Sequence, residues 1–237
     1  MAESLTSAFG IERDIVSVVG AGGKTTLVFT IGDEVRRGGR KVIVTTTTKM
    51  GSDQTGGLTV VPPDLDKVAG ALAVSGACLV IAARDHRKAT GVSPAWVDDA
   101  AAAGIAEVIV IEADGARRRK LKAPADHEPV IPQSSTVVIA VMAASAVGEV
   151  IADVAHRPDR VASIAGAAVT DRLTTEAAAR VLTSDLGGRK SVPQHARFAI
   201  AVTGSSASDR STAEAMAELV GPFPVTFVSR EGPPTRL

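Results

Sequence analysis

The sequence predicts an α/β fold, a three-layer, doubly wound and mostly parallel sheet, from three observations. β-branched apolar runs recur along the chain, and several are apolar on both faces, as parallel strands covered by helices on each side must be. Between them lie helical segments, several opened by Pro, Ser, Thr or Asp. The first run breaks directly into Gly20-Ala21-Gly22-Gly23-Lys24-Thr25-Thr26, the pattern of a strand, a phosphate loop and a helix start. That junction makes the expected fold one of P-loop NTPase type.

Strands are expected at Ile15–Val19, Lys41–Thr46, Ala77–Ala82, Glu107–Ile111, Thr136–Val141, Arg197–Val202 and Val225–Val228. Helices are expected at Lys24–Arg37, ended by Gly38-Gly39, and at Pro63–Val74, Pro94–Ala103, Thr174–Leu182 and Ser208–Leu219. Between Glu112 and Gln133 runs EADGARRRKLKAPADHEPVIPQ, whose three prolines and dense charges forbid a regular helix. A loop this long at the carboxyl edge of a strand reads as functional. The expected organisation is one domain over residues 1–237 with a functional loop at 113–133, and the tail Glu231–Leu237 is expected to be loose.

With 26 basic and 26 acidic residues the formal charge is zero, which argues against nucleic acid and against a basic membrane surface as partners. There is no tyrosine and only Trp96, so stacking platforms for single strands are missing. The apolar stretch Val137–Val147 is short of the roughly 20 residues that span a bilayer and reads as core. Cys78 is the only cysteine, and the N-terminus, with its early Glu3, does not resemble a signal peptide. These features point to a cytoplasmic protein with no membrane association.

A phosphate loop needs glycine because its amides must point at the anion, and Cβ atoms would block both the turn and the close approach. Gly20, Gly22 and Gly23 supply that freedom, and Ala21 completes the cradle. Lys24 is expected on the β- and γ-phosphates, Thr25 on Mg²⁺, and Thr26 in the helix N-terminus. Val18 occupies the first glycine position of a full Walker A motif, so only the compact G-x-x-G-K-T form is present. The expected ligand is a nucleoside triphosphate with Mg²⁺.

The apolar strand before Glu112 ends in a carboxylate, and Asp114 follows, so both are candidates to hold Mg²⁺ or orient water. Thr47 and Lys49 close the Thr45–Lys49 run and are expected at the same edge as Lys24. In the loop, Lys122 is a candidate for an anionic group and His127, between Asp126 and Glu128, for proton transfer or a metal. Part of Arg117–Lys120 is a candidate phosphate clamp.

Together, GAGGKTT (20–26), VTTTTKM (44–50), EADGA (112–116), LKAPADHEPVIP (121–132), HRP (156–158) and GGRKSVP (187–193) resemble the YqeC family. These are accessory proteins assigned to selenium-dependent molybdenum hydroxylases. The resemblance implies a P-loop NTPase-like fold and a role beside a molybdenum hydroxylase or the proteins that make its cofactor. Where the family carries an N-K-x-D-like base-reading element, this chain has Val202-Thr203-Gly204-Ser205-Ser206, so ATP rather than GTP is expected. GAGGKTT also resembles the loop of Mur-type amino-acid ligases, which leaves an ATP-dependent ligase or transferase as the alternative to a slow NTPase. A nucleotide-switched adaptor without turnover is the third possibility.

Overall fold

A computed structural model of the chain describes residues 4–229 and 232–237; Glu3 and Glu231, noted above, lie outside them. Helix α1 (Leu5–Ala8) leads into β1 (Ile15–Gly20), and α2 (Lys24–Arg37) follows the glycine turn. Next come β2 (Val42–Thr46), β3 (Lys49–Gly51), β4 (Val60–Val61), α3 (Leu65–Ser75), β5 (Ala77–Val80), β6 (Ala83–Arg84), β7 (Lys88–Thr90) and α4 (Pro94–Ala102). After these lie β8 (Val108–Glu112), β9 (Leu121–Lys122), β10 (Val137–Ala143), α5 (Ile151–Val154), β11 (Ala155–His156) and α6 (Pro158–Ala165). The chain closes with α7 (Thr175–Thr183), β12 (Arg197–Gly204), α8 (Ala207–Leu219), β13 (Val225–Ser229) and β14 (Thr235–Arg236).

Nine strands form the central sheet in the order β14-β13-β12-β10-β1-β8-β2-β5-β4. All its pairs are parallel except β13–β14. The fully apolar strands divide their side chains between two cores, as period-two alternation requires. Val108 and Val110 of β8 join Val16, Val18 and Val44 against Leu27 and Ile31 of α2. Ile109 and Ile111 turn to the other face, with Leu72 of α3, Val97 of α4 and Met216 of α8. Helices on both faces of a parallel sheet make the three-layer, doubly wound fold that the sequence predicts.

Helix starts follow local chemistry. Asp64, Ser93, Thr174 and Ser206 each accept an amide hydrogen bond at the head of α3, α4, α7 and α8, and Asp209 completes a capping box with Ser206. Two expectations need correction. The tail is not loose where it is described, because β14 pairs antiparallel with β13 through Thr226–Arg236 and Phe227–Thr235. Thr47-Thr48-Lys49 does not simply extend β2, because the chain turns there into a small antiparallel sheet ordered β3-β7-β6.

The connections set the site. From β1 the chain crosses over β8 to β2, whereas from β8 it crosses over β1 to β10. Connections that part in opposite directions leave a crevice at the carboxyl ends of the strands between them, and α/β ligands bind there. The glycine loop follows β1 and the acidic residues end β8, so both are delivered to that crevice.

Candidate functional site

Gly20, Gly22 and Gly23 have φ of 94°, 84° and 135°, a region that side chains avoid. Space forbids a side chain as well. A Cβ on Gly20 would lie 2.4 Å from the carbonyl oxygen of Val141, and one on Gly22 would lie 2.5 Å from the amide of Ala143. Gly23 caps α2 without a side-chain acceptor, so the first-turn amides of Lys24, Thr25 and Thr26 lack an intrahelical partner and face outward as donors. The amides of Gly20 and Ala21 are committed instead, to Asp114 Oδ2 at 3.1 Å and to the Val141 carbonyl at 2.9 Å. The available cradle therefore begins at Gly22, later than the sequence suggests.

Strand register places Glu112 between Val18 of β1 and Thr46 of β2. The Thr25 hydroxyl donates to Glu112 Oε2 at 2.7 Å, so the two candidate Mg²⁺ ligands already meet. Burial pushes the Glu112 carboxyl up, and Asp114 adds to this, against the opposing pull of Lys24 and the Thr25 hydroxyl. Lys24 is buried, donates to the Gly20 carbonyl at 2.7 Å and lies 3.2 Å from Asp114 Oδ1 and 3.8 Å from Glu112 Oε1. Its ammonium thus rests over its own loop, held by Asp114 and Glu112. Asp114 Oδ1 is buried and lacks a hydrogen bond despite that ion pair, which leaves an acceptor open.

The charges continue inward. Lys122, also buried, donates to the Gly115 carbonyl at 2.6 Å and approaches Asp114 Oδ2 at 2.8 Å and Glu128 Oε2 at 3.0 Å. All three of its donors are used, so it staples the loop instead of offering a free cation. Glu128 in turn meets Arg157 Nη1 at 2.7 Å. Burial pushes the Glu128 carboxyl up, but Lys122, the Ala125 amide and Arg157 outweigh it and hold the group at about 2. Alternating charges therefore run from Glu112 through Lys24, Asp114, Lys122 and Glu128 to Arg157.

The remaining candidates separate. Thr47 anchors the functional loop, donating from its hydroxyl to the Val130 carbonyl at 2.6 Å and from its amide to the Glu112 carbonyl at 3.2 Å. Lys49 is exposed at the start of the small sheet and pairs with Thr90, so it is not delivered to Lys24's edge as the sequence suggests. Thr26 and His127 are exposed. The neighbours of His127 turn elsewhere, Asp126 to Arg160 at 2.8 Å and Glu128 to Lys122, and no acidic, histidine or cysteine cluster fit for a metal occurs among the described residues. A metal triad around His127 is therefore not formed. Cys78 is buried in β5, and burial pushes its thiol up to about 11, which makes it an inert core residue.

Two contributors escape sequence reasoning. Thr203, at the carboxyl end of β12, donates to the Gly22 carbonyl at 2.5 Å and braces the loop from the far side. Arg157 joins the charge chain through a left-handed backbone, φ 64°. Its only signal is its place in HRP, between a helix start and a two-residue strand.

The family model described as YqeC protein matches residues 16–159, more than half of the chain and all of the site except Thr203. The chain belongs to the YqeC family. It is 36% identical over 186 residues to the uncharacterized protein YqeC of Escherichia coli (strain K12), covering 77% of this chain and 73% of that one. It also overlays the crystal structure of the signal recognition particle 54 kDa protein from Aeropyrum pernix K1 in complex with GDP, at 16% identity and a TM-score of 0.43. That overlay covers 95% of this chain, which spans 44% of the longer neighbour. In this YqeC family member the matched stretch starts in β1 and ends at the head of α6, so it contains the glycine loop, the acidic pair and the whole charge chain.

Proposed function

We propose that this protein binds a nucleoside triphosphate with Mg²⁺ at the Gly22–Thr25 loop and hydrolyses it slowly, in support of the maturation of a molybdenum hydroxylase. The observation that carries the nucleotide reading is the meeting of an uncapped, glycine-built helix start with a buried lysine and the Thr25–Glu112 pair. Amides and the positive helix end favour phosphate oxygens, and Lys24, released from Gly20 and Asp114, would meet their charge. Thr25 and Glu112, with the open Oδ1 of Asp114, suit a Mg²⁺ ion, which when bound neutralises charge on the phosphates.

Glu112 has the stronger claim to the proton-handling role. Burial raises its proton affinity, as suits a carboxylate that takes a proton from water, and Asp114 is pinned by Gly20 and Lys122. ATP is proposed over GTP on the Val202–Ser206 stretch. The hydroxylase role rests on the family resemblance, and co-purification of a molybdenum hydroxylase with the full chain in the presence of Mg²⁺ and ATP tests it.

Phosphate release by wild type and Glu112→Gln at saturating Mg·ATP tests the turnover. Glu112→Gln should lower it about 100-fold or more while nucleotide affinity changes far less. Equal turnover would remove Glu112 from the chemistry.

A further inference from the structure

Three residues after Asp114 a cleft of about 430 Å³ opens, lined by Arg117, Arg119, Ala155, His156, Arg157 and Pro158. Its size lies within the range of small-molecule sites. Three guanidinium groups and an imidazole face it, with no carboxylate among the lining residues, in a chain whose formal charge is zero. Concentrating this much positive charge has an electrostatic cost unless an anion relieves it.

The arginines are held in distinct ways. Arg157 is fixed from behind by Glu128 at 2.7 Å, and Arg119 donates to the Asp153 carbonyl. Arg117 makes no ion pair among the described residues and is exposed. Arg117, Arg118 and Arg157 all adopt left-handed backbone, at φ 47°, 59° and 64°. Of these, Arg117 and Arg157 line the cleft.

We infer that this cleft binds the phosphate group of a small organic molecule, clamped by Arg117, Arg119 and Arg157 beside the nucleotide loop. Guanidinium forks suit phosphate because they donate paired hydrogen bonds to its oxygens. Arg117–Lys120 leans on the glycine loop: the Lys120 carbonyl accepts the Ala143 amide at 2.9 Å and is 2.9 Å from where a Gly22 Cβ would be. β11, which supplies Ala155 and His156 to the lining, is paired with β9, which follows Arg117 and Arg119, through Leu121–Ala155 and Lys122–His156. A ligand here would be the second substrate of the proposed nucleotide site. Its role as a substrate rests on that proposal, whereas the anion site stands on the cleft alone.

His156 reports on occupancy. Burial lowers its imidazole to about 4, and Arg157 and Lys122 reinforce the shift, so an anion seated among them would raise it. The probe is inorganic pyrophosphate, titrated calorimetrically into wild type, Arg117→Asn/Arg119→Gln and Thr25→Ala, with His156 followed by NMR against a His156→Gln control. Asparagine tolerates the left-handed backbone at Arg117, and both side chains are exposed, so the fold should survive. The cleft variant should bind pyrophosphate about tenfold or more weakly, Thr25→Ala should retain cleft binding, and pyrophosphate should raise the His156 titration in wild type. Equal affinity in wild type and the cleft variant, an unmoved His156, or loss of binding only in Thr25→Ala would each overturn the site. Mg·ATP titrated into the same proteins reads the nucleotide site separately, so its failure would leave the pyrophosphate result standing.

Discussion

At the residue scale, the site depends on two buried lysines with different tasks. Lys24 rests within reach of Asp114 and Glu112, and only a small excursion separates it from the cradle, whereas Lys122 has every donor occupied. Replacing Lys122 with methionine leaves Asp114 and Glu128 buried without their shared cation, and removal of one member of such a pair costs about 3–5 kcal/mol. Chemical denaturation should show that loss even without nucleotide, and a change under about 1 kcal/mol would show that water replaces the ammonium. His127→Ala should lie within about 0.5 kcal/mol of wild type, because the side chain is exposed and its carboxylate neighbours are paired elsewhere. The placement of Gly22, Lys24, Thr25 and Glu112 is legible in the sequence because each sits at a fixed offset from a strand end. That of Lys122 and Arg157 is not, because it is settled by partners six and twenty-nine residues away at Glu128 and along the β9–β11 pairing.

At the scale of elements, periodicity exposes the buried strands and the capped helices, since both leave local marks. The short elements escape it. Helices α5 and α6 span four and eight residues and are separated by β11, a length at which no face repeats often enough to be read. Lys49 is misplaced by the same kind of gap: threonines favour extended backbone, but Gly91 packs so close to Thr46 that a Cβ there would lie 2.1 Å from its carbonyl oxygen. The strand must end there. The glycine loop leaves no room for side chains at Gly20 and Gly22. Gly22→Ala adds a Cβ at φ 84° into the backbone of β10 and should cost more than about 2 kcal/mol, together with nucleotide binding. A variant melting within a degree of wild type and binding Mg·ATP normally would show that β10 yields easily.

At the scale of the whole molecule, the charge chain makes stability depend on acid. His156 is lowered from 6.5 to about 4, so between those values the unfolded chain binds a proton that the folded chain refuses, and stability falls as pH drops through that window. Glu128, lowered from 4.5 to about 2, adds a second loss at lower pH: its stabilisation is present in full above 4.5 and falls away as pH drops toward 2. Thermal melting from pH 7 to pH 4 should therefore show a decline that His156→Gln flattens at its upper end. A profile identical in both proteins would mean that His156 is solvated.

The central claim is that a triphosphate sits on the loop between β1 and α2, and calorimetric titration of a non-hydrolysable ATP analogue with Mg²⁺ tests it most directly. Wild type should bind with one site per chain, and Lys24→Ala, confirmed as folded by its melting transition, should bind at least about tenfold more weakly. Wild-type affinity in folded Lys24→Ala would contradict the account.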